Sequence, residues 1–131
     1  MAECDWAILS DYAFLDVSRK MCLIGVFDRI YATAVPTALH QSSIAMKMLG
    51  NPGENVSFRI EIIRPTGGQL ASVQGSVLVL DSSSADVQLN IAGLALPDYG
   101  AYSVNVYVGN ELSRVTTFVV SQPPPQTNPQ G

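Results

Sequence analysis

Along residues 56–62, Val56, Phe58, Ile60 and Ile62 alternate with Ser57, Arg59 and Glu61. A period of two puts the apolar side chains on one face, which predicts a strand with one side in a core. The exit Arg64-Pro65-Thr66-Gly67-Gly68 combines the fixed φ of proline with glycines that accept positive φ, and predicts a hairpin into residues 70–80. Gly75 interrupts that second run and predicts a bulge or a bend between sheets. After the turn Asp81-Ser82-Ser83-Ser84, Val87, Leu89 and Ile91 alternate with Asp86, Gln88 and Asn90 in another one-sided strand.

The last hairpin has the sharpest definition. Tyr102, Val104, Val106 and Val108 alternate before Gly109-Asn110, and Val115, Thr117 and Val119 alternate after it. Glycine at the first position of a two-residue turn matches the strand twist. Counting outward pairs Val108 with Glu111, Tyr107 with Leu112, Val106 with Ser113, Val104 with Val115, Tyr102 with Thr117 and Ala101 with Phe118.

Nearer the N-terminus, residues 6–14 and 21–30 are apolar runs separated by a polar turn segment at 15–20. A third run, 38–49, alternates Ile44, Met46 and Met48 with Ser43, Ala45 and Lys47 before closing at Gly50-Asn51-Pro52-Gly53. About eight strands with regular turn signals and no convincing helix predict an all-β, antiparallel two-sheet sandwich of about 7–9 strands. The expected domain is 1–121. Residues 122–131, which include Pro123-Pro124-Pro125, are expected to form a Pro-rich extended or disordered tail.

At 131 residues the chain has the length for one core without a metal or disulfide. A hydrophobic fraction of 47% against 14% charged residues leaves apolar side chains over once that core is filled. The net charge of −4, with no Lys/Arg cluster, predicts neither nucleic-acid nor anionic-membrane partners. No apolar stretch approaches the ~20 residues of a membrane span, and acidic residues stand where a secretory leader has basic ones, so a cytoplasmic location is expected. Cys4 and Cys22 are expected to be unpaired, since Cys22 falls opposite Phe14 in the first hairpin while Cys4 lies beyond the pairing.

Candidate chemistry is sparse. Asp11, Asp16 and Asp28, with Asp5, gather around the first hairpin as weak candidates for calcium, although no spaced run of oxygen ligands is present and Asp16 suits the turn itself. His40 lies too close along one strand to Ser42 and Ser43 to act as their base. Zinc, redox and nucleotide signatures are absent, and no cofactor is expected. Trp6, Tyr12, Tyr31, Tyr99 and Tyr107 offer a sugar-stacking platform, but aromatics of this abundance mostly belong to cores and strand pairs.

The favoured feature is the outer face of the last hairpin. With Tyr102, Val104 and Val106 inward, the pairs Tyr107–Leu112 and Ala101–Phe118 point outward, and Ile63 and Leu49 also fall on nominally polar faces. Tyr107, Leu112, Phe118 and Ile63 are therefore the expected partner-binding residues of a non-catalytic protein-binding or assembly module, whose partner is another protein or a second copy. The alternative is a metal- or small-ligand-binding or hydrolytic sandwich built on the acidic loops.

Asp98-Tyr99-Gly100-Ala101-Tyr102 resembles the tyrosine corner of immunoglobulin-like sandwiches. The cysteine of the immunoglobulin disulfide would stand at the position of Val104, so the resemblance implies that topology without its bridge. A second resemblance rests on Cys4-Asp5, Asp11-Tyr12-Ala13, Lys20, Leu23-Ile24-Gly25-Val26-Phe27-Asp28 and Ile30, followed by Gly100, Tyr102 and the last hairpin. These look like a family of uncharacterised bacterial proteins defined by a domain of unknown function. That resemblance implies one compact domain of bacterial or phage origin and assigns no site.

Overall fold

The computed structural model describes residues 2–125, within which the period-two segments become nine strands. They are β1 (Glu3–Leu15), β2 (Met21–Val26), β3 (Arg29–Tyr31), β4 (Thr37–Leu49), β5 (Asn55–Ile63), β6 (Gln69–Leu78), β7 (Ser84–Leu96), β8 (Gly100–Val108) and β9 (Glu111–Ser121). One sheet is ordered β2-β1-β4-β7 and the other β3-β9-β8-β5-β6. Every paired neighbour is antiparallel except β3, which runs parallel to β9. The fold is the all-β two-sheet sandwich expected from the alternation.

The core forms where the apolar faces meet. β5 supplies Val56, Phe58, Ile60 and Ile62, β8 supplies Tyr102, Val104 and Val106, and β4 supplies Ile44, Met46 and Met48 from the other sheet, all buried. Each such side chain contributes about 1.5–3 kcal/mol on leaving water. No helix among the described residues is long and apolar enough to cross a membrane. Beyond Ser121, residues 122–125 are exposed and carry no strand. The remainder of the expected tail, 126–131, lies outside the described residues.

Tyr102 fixes the corner that precedes β8. Its hydroxyl donates to the Asp98 carbonyl at 2.9 Å and accepts the Asp98 N–H at 2.9 Å. The Asp98 carboxylate in turn accepts from Arg64 Nε at 2.8 Å and Nη2 at 3.2 Å, tying this corner to the β5–β6 turn. The Tyr102 ring stacks on Phe118, with centroids 5.0 Å apart and planes 4° from parallel.

Three expectations need correction. Residues 21–30 do not form one strand, because the chain changes sheet within them. The Phe27 N–H donates to the Leu9 carbonyl in the first sheet (3.0 Å), while the Asp28 carbonyl already accepts the Val119 N–H in the second (2.9 Å). Gly75 marks no bulge, since β5 and β6 pair without a shift from Asn55↔Leu78 to Ile62↔Ala71. Gly75 lies opposite Phe58 instead, and a Cβ there would stand 2.8 Å from Phe58 Cζ, so the ring fills the space a side chain would take.

The third correction concerns the last hairpin. It starts as counted, with Val108↔Glu111 and Tyr107↔Leu112 around a turn in which Gly109 has φ +63°. The next pair is Val106↔Arg114, which leaves Ser113 as an extra residue in β9. One inserted residue sends every later side chain to the opposite face. Tyr102 consequently pairs with Phe118, and Phe118, expected on the outside, is only 2% exposed.

Tyr102→Phe keeps the ring and removes both hydrogen bonds at a buried site, which predicts a loss of about 1–3 kcal/mol in urea unfolding at neutral pH. Burial also pushes the Tyr102 phenol above its ordinary pKa. The folded state then binds the phenolic proton more tightly than the unfolded chain, so this contribution is complete below about pH 10 and is lost as pH rises further. The same urea series at alkaline pH checks this, and the Tyr102→Phe variant shows a shallower alkaline decline than the parent.

Candidate functional site

The four residues expected to bind a partner do not share one surface. Phe118 is in the core. Tyr107 is half-buried beneath the Arg59 guanidinium, whose carbon lies 4.3 Å from the ring centroid, and Arg59 Nε donates to Glu61 Oε2 at 3.0 Å. Ile63 is half-buried beside Ser103. Leu112 is exposed near the hairpin turn, but the outer face around it is occupied largely by Arg59, Glu61, Asn105 and Ser103. Register keeps Tyr107, Leu112 and Ile63 on one outward face with the exposed Val115, but the Arg59–Glu61 ion pair and the polar Asn105 and Ser103 lie among them.

The acidic residues are dispersed in the same way. Asp16 Oδ1 accepts the N–H groups of Ser18 at 2.8 Å and Lys20 at 2.9 Å, which holds the β1–β2 turn. The Asp11 carboxylate lies against Gly25, where φ is +70° and a Cβ would collide with Asp11 Oδ2. Asp28 lies at the change of sheet. No group of three His, Cys, Asp or Glu residues among those described is placed to hold a metal ion. His40 is exposed on β4, Ser42 Oγ donates to the Ile91 carbonyl at 3.4 Å, and Ser43 Oγ donates to Asn90 Oδ1. Both hydroxyls are thus committed to β7 and not to an imidazole.

Apolar surface collects instead on the outer face of β1 and β2. Strand register places Trp6, Ile8, Ser10, Tyr12 and Phe14 of β1 on that face, with Val26 opposite Ser10, Ile24 opposite Tyr12 and Cys22 opposite Phe14. Ile24 is 56% exposed, Val26 62% and Tyr12 41%, and the Tyr12 and Phe14 rings stack with centroids 5.6 Å apart. Across β4 and β7 the same face continues with small or amide side chains: Ala45 opposite Gln88, Ser43 opposite Asn90 and Gln41 opposite Ala92. Its one ionic feature is Lys47 with Asp86, 3.9 Å apart.

The sequence contained a signal for this surface. The first hairpin's register, carried two residues beyond Cys22 and Phe14, pairs Ile24 with Tyr12 on the face that also holds Trp6 and Ile8. The run 6–14 obscures it, because Ala7, Leu9 and Ala13 on its other face are apolar too.

The interior offers little room for a ligand. The space between the sheets, bounded by Leu9, Phe27, Ile44, Ile91, Val104 and Phe118, amounts to about 10 Å³, near the minimum for one water molecule. A larger cleft of about 520 Å³ at one end of the sandwich is an open groove bordered by Glu54, Ser57, Asn110 and Glu111. That lining presents carboxylates and amides without a nucleophile and base in contact.

Both cysteines are free thiols. Cys4 is 1% exposed, and burial pushes its thiol pKa up, which keeps it protonated and unreactive at neutral pH. Cys22 is half-buried beside the exposed part of the β1–β2 face. Titration of the native chain with a thiol-reactive disulfide is expected to modify Cys22 at least tenfold faster than Cys4, the two rates converging in denaturant. Equal native rates would show that the β1 end of the core opens readily.

The comparisons with known proteins add a family without an activity. No curated protein matches the chain. A family described as "Family of unknown function (DUF6941)" matches residues 5–121, a span that takes in both sheets and the whole apolar face of β1 and β2. The chain belongs to this family of unknown function, DUF6941.

Proposed function

We propose that the chain is a non-catalytic protein-binding module that docks through the outer face of β1 and β2. The observation carrying this reading is the contiguous run of Ile24, Val26, Tyr12, Phe14, Ile8 and Trp6 on one sheet face. Outward faces of sandwich sheets are ordinarily polar, and a contiguous apolar patch on a folded domain marks a contact surface. The last hairpin carries less of the argument, since only Leu112 and Val115 among its large apolar residues are strongly exposed.

An immunoglobulin-like organisation belongs to the same proposal. It is supported by the order β1-β4-β7 facing β9-β8-β5, by β3 parallel to β9, and by the hydroxyl of Tyr102 closing the corner before β8. The two free thiols fit a reducing, cytoplasmic setting, and a bacterial origin is implied by the resemblance in residues 4–30. The interior volume and the dispersed carboxylates weigh against the metal-binding or hydrolytic alternative.

Affinity capture from cell extract tests the reading. The wild-type chain is expected to retain a specific protein that Ile24→Lys combined with Val26→Glu releases, while Leu112→Lys retains it. Retention by the first variant and loss by Leu112→Lys would return the contact surface to the last hairpin and overturn the assignment to β1 and β2.

A further inference from the structure

Building on the docking reading, we infer that the occupant of the β1–β2 face is the same face of a second copy, related by a two-fold axis parallel to the strands. Relief, charge and area each point to that occupant.

The relief is lopsided. Large side chains stand on β1 and β2, whereas on β4 and β7 the face passes over the wholly buried Ser43 and Ala45 to the exposed Gln41, Asn90 and Ala92. A two-fold axis running between β1 and β4 lays β1 over the partner's β4 and β2 over its β7. Val26 then meets Asn90 and Ile24 meets Ala92, both of them exposed, and each contact occurs twice. High ground facing low ground in both directions is the self-complementarity that an isologous interface requires.

The charge distribution agrees. The chain holds 11 acidic and 7 basic residues, and surfaces bearing Glu3, Asp5, Glu54 and Glu111 would repel their own copies. The β1–β2 face carries only Lys47 and Asp86, already paired with each other. In the two-fold arrangement Lys47 lies over Trp6 of the second copy, where an ammonium on an indole face is favourable. Two net-negative chains therefore meet here without placing like charges together.

The available area approaches that of a standard interface. Four strands at about 4.8 Å spacing and about 3.3 Å per residue give a shared face of roughly 600 Å² before side-chain relief is added. A standard interface buries about 800 Å² per partner, and an apolar centre with few charges is typical of homodimers.

Sedimentation equilibrium of the full chain is the test, with wild type expected at twice the chain mass. Ile24→Lys and Ala92→Glu are each expected at the chain mass. An equimolar mixture of the two regains the doubled mass, because the ammonium introduced at position 24 of one chain then faces the carboxylate introduced at position 92 of the other, while the unaltered Ile24 and Ala92 still meet on the second side. Both positions are exposed, and thermal unfolding of each variant confirms that it folds. A wild-type chain at single mass at every concentration overturns the second-copy inference. So does a dimer that both substitutions leave intact, or a mixture that stays monomeric. Should wild type be monomeric while extract capture still depends on Ile24 and Val26, the docking reading stands and the second-copy inference alone falls.

Discussion

A phenol withdrawn from water must still satisfy its hydroxyl, and the way Tyr102 meets that demand organises the second sheet. Both polar groups of its oxygen are spent on the Asp98 backbone, and Asp98 then orients its carboxylate toward Arg64. The ring, fixed at one end, becomes a flat surface on which Phe118 of β9 stacks. Two connections, β5–β6 and β7–β8, and the strand β9 are in this way held to one residue. The stacking also selects the register of β9: with Phe118 against Tyr102, one residue between Leu112 and Arg114 has to be looped out, and Ser113 is that residue. Its hydroxyl accepts the Cys4 N–H at 2.8 Å, so the bulge is used to anchor the start of β1.

How far the fold can be read in advance follows from the reach of each signal. β5 and β8 announce themselves because polar residues separate their apolar ones, and period two then leaves a single solution. The D-x-G-x-Y corner is legible for a related reason, since its hydrogen bonds close within four residues. β9 is not, because Val115, Thr117 and Val119 alternate as convincingly as Thr116, Phe118 and Val120. Only the tertiary contacts of Phe118 and Ser113 decide between them. The run 21–30 likewise gives no local sign of its change of sheet, which depends on Leu9 and Val119 as hydrogen-bond partners.

The candidate surface shows the same limit. Its apolar character is present in the sequence at Trp6, Ile8, Tyr12 and Ile24, but β1 is apolar on both faces over much of its length. Outward and inward become distinguishable only once β4 and the opposite sheet cover one side. The last hairpin misleads for the converse reason: its outward face follows from a count that a single bulge invalidates, while Tyr107 lies under a guanidinium from a strand some fifty positions earlier.

The parallel pairing of β3 with β9 bears on how the domain would carry load. β1 and β9 rise in the same direction through the two sheets, so a pull between the start of β1 and the chain beyond Ser121 acts along β9 itself. Its hydrogen bonds to β3 and β8 lie across that line and are strained together instead of being opened one at a time. The three-residue β3, slight as a contributor to the core, therefore adds its three pairs to those of β8 in opposing such a pull in shear.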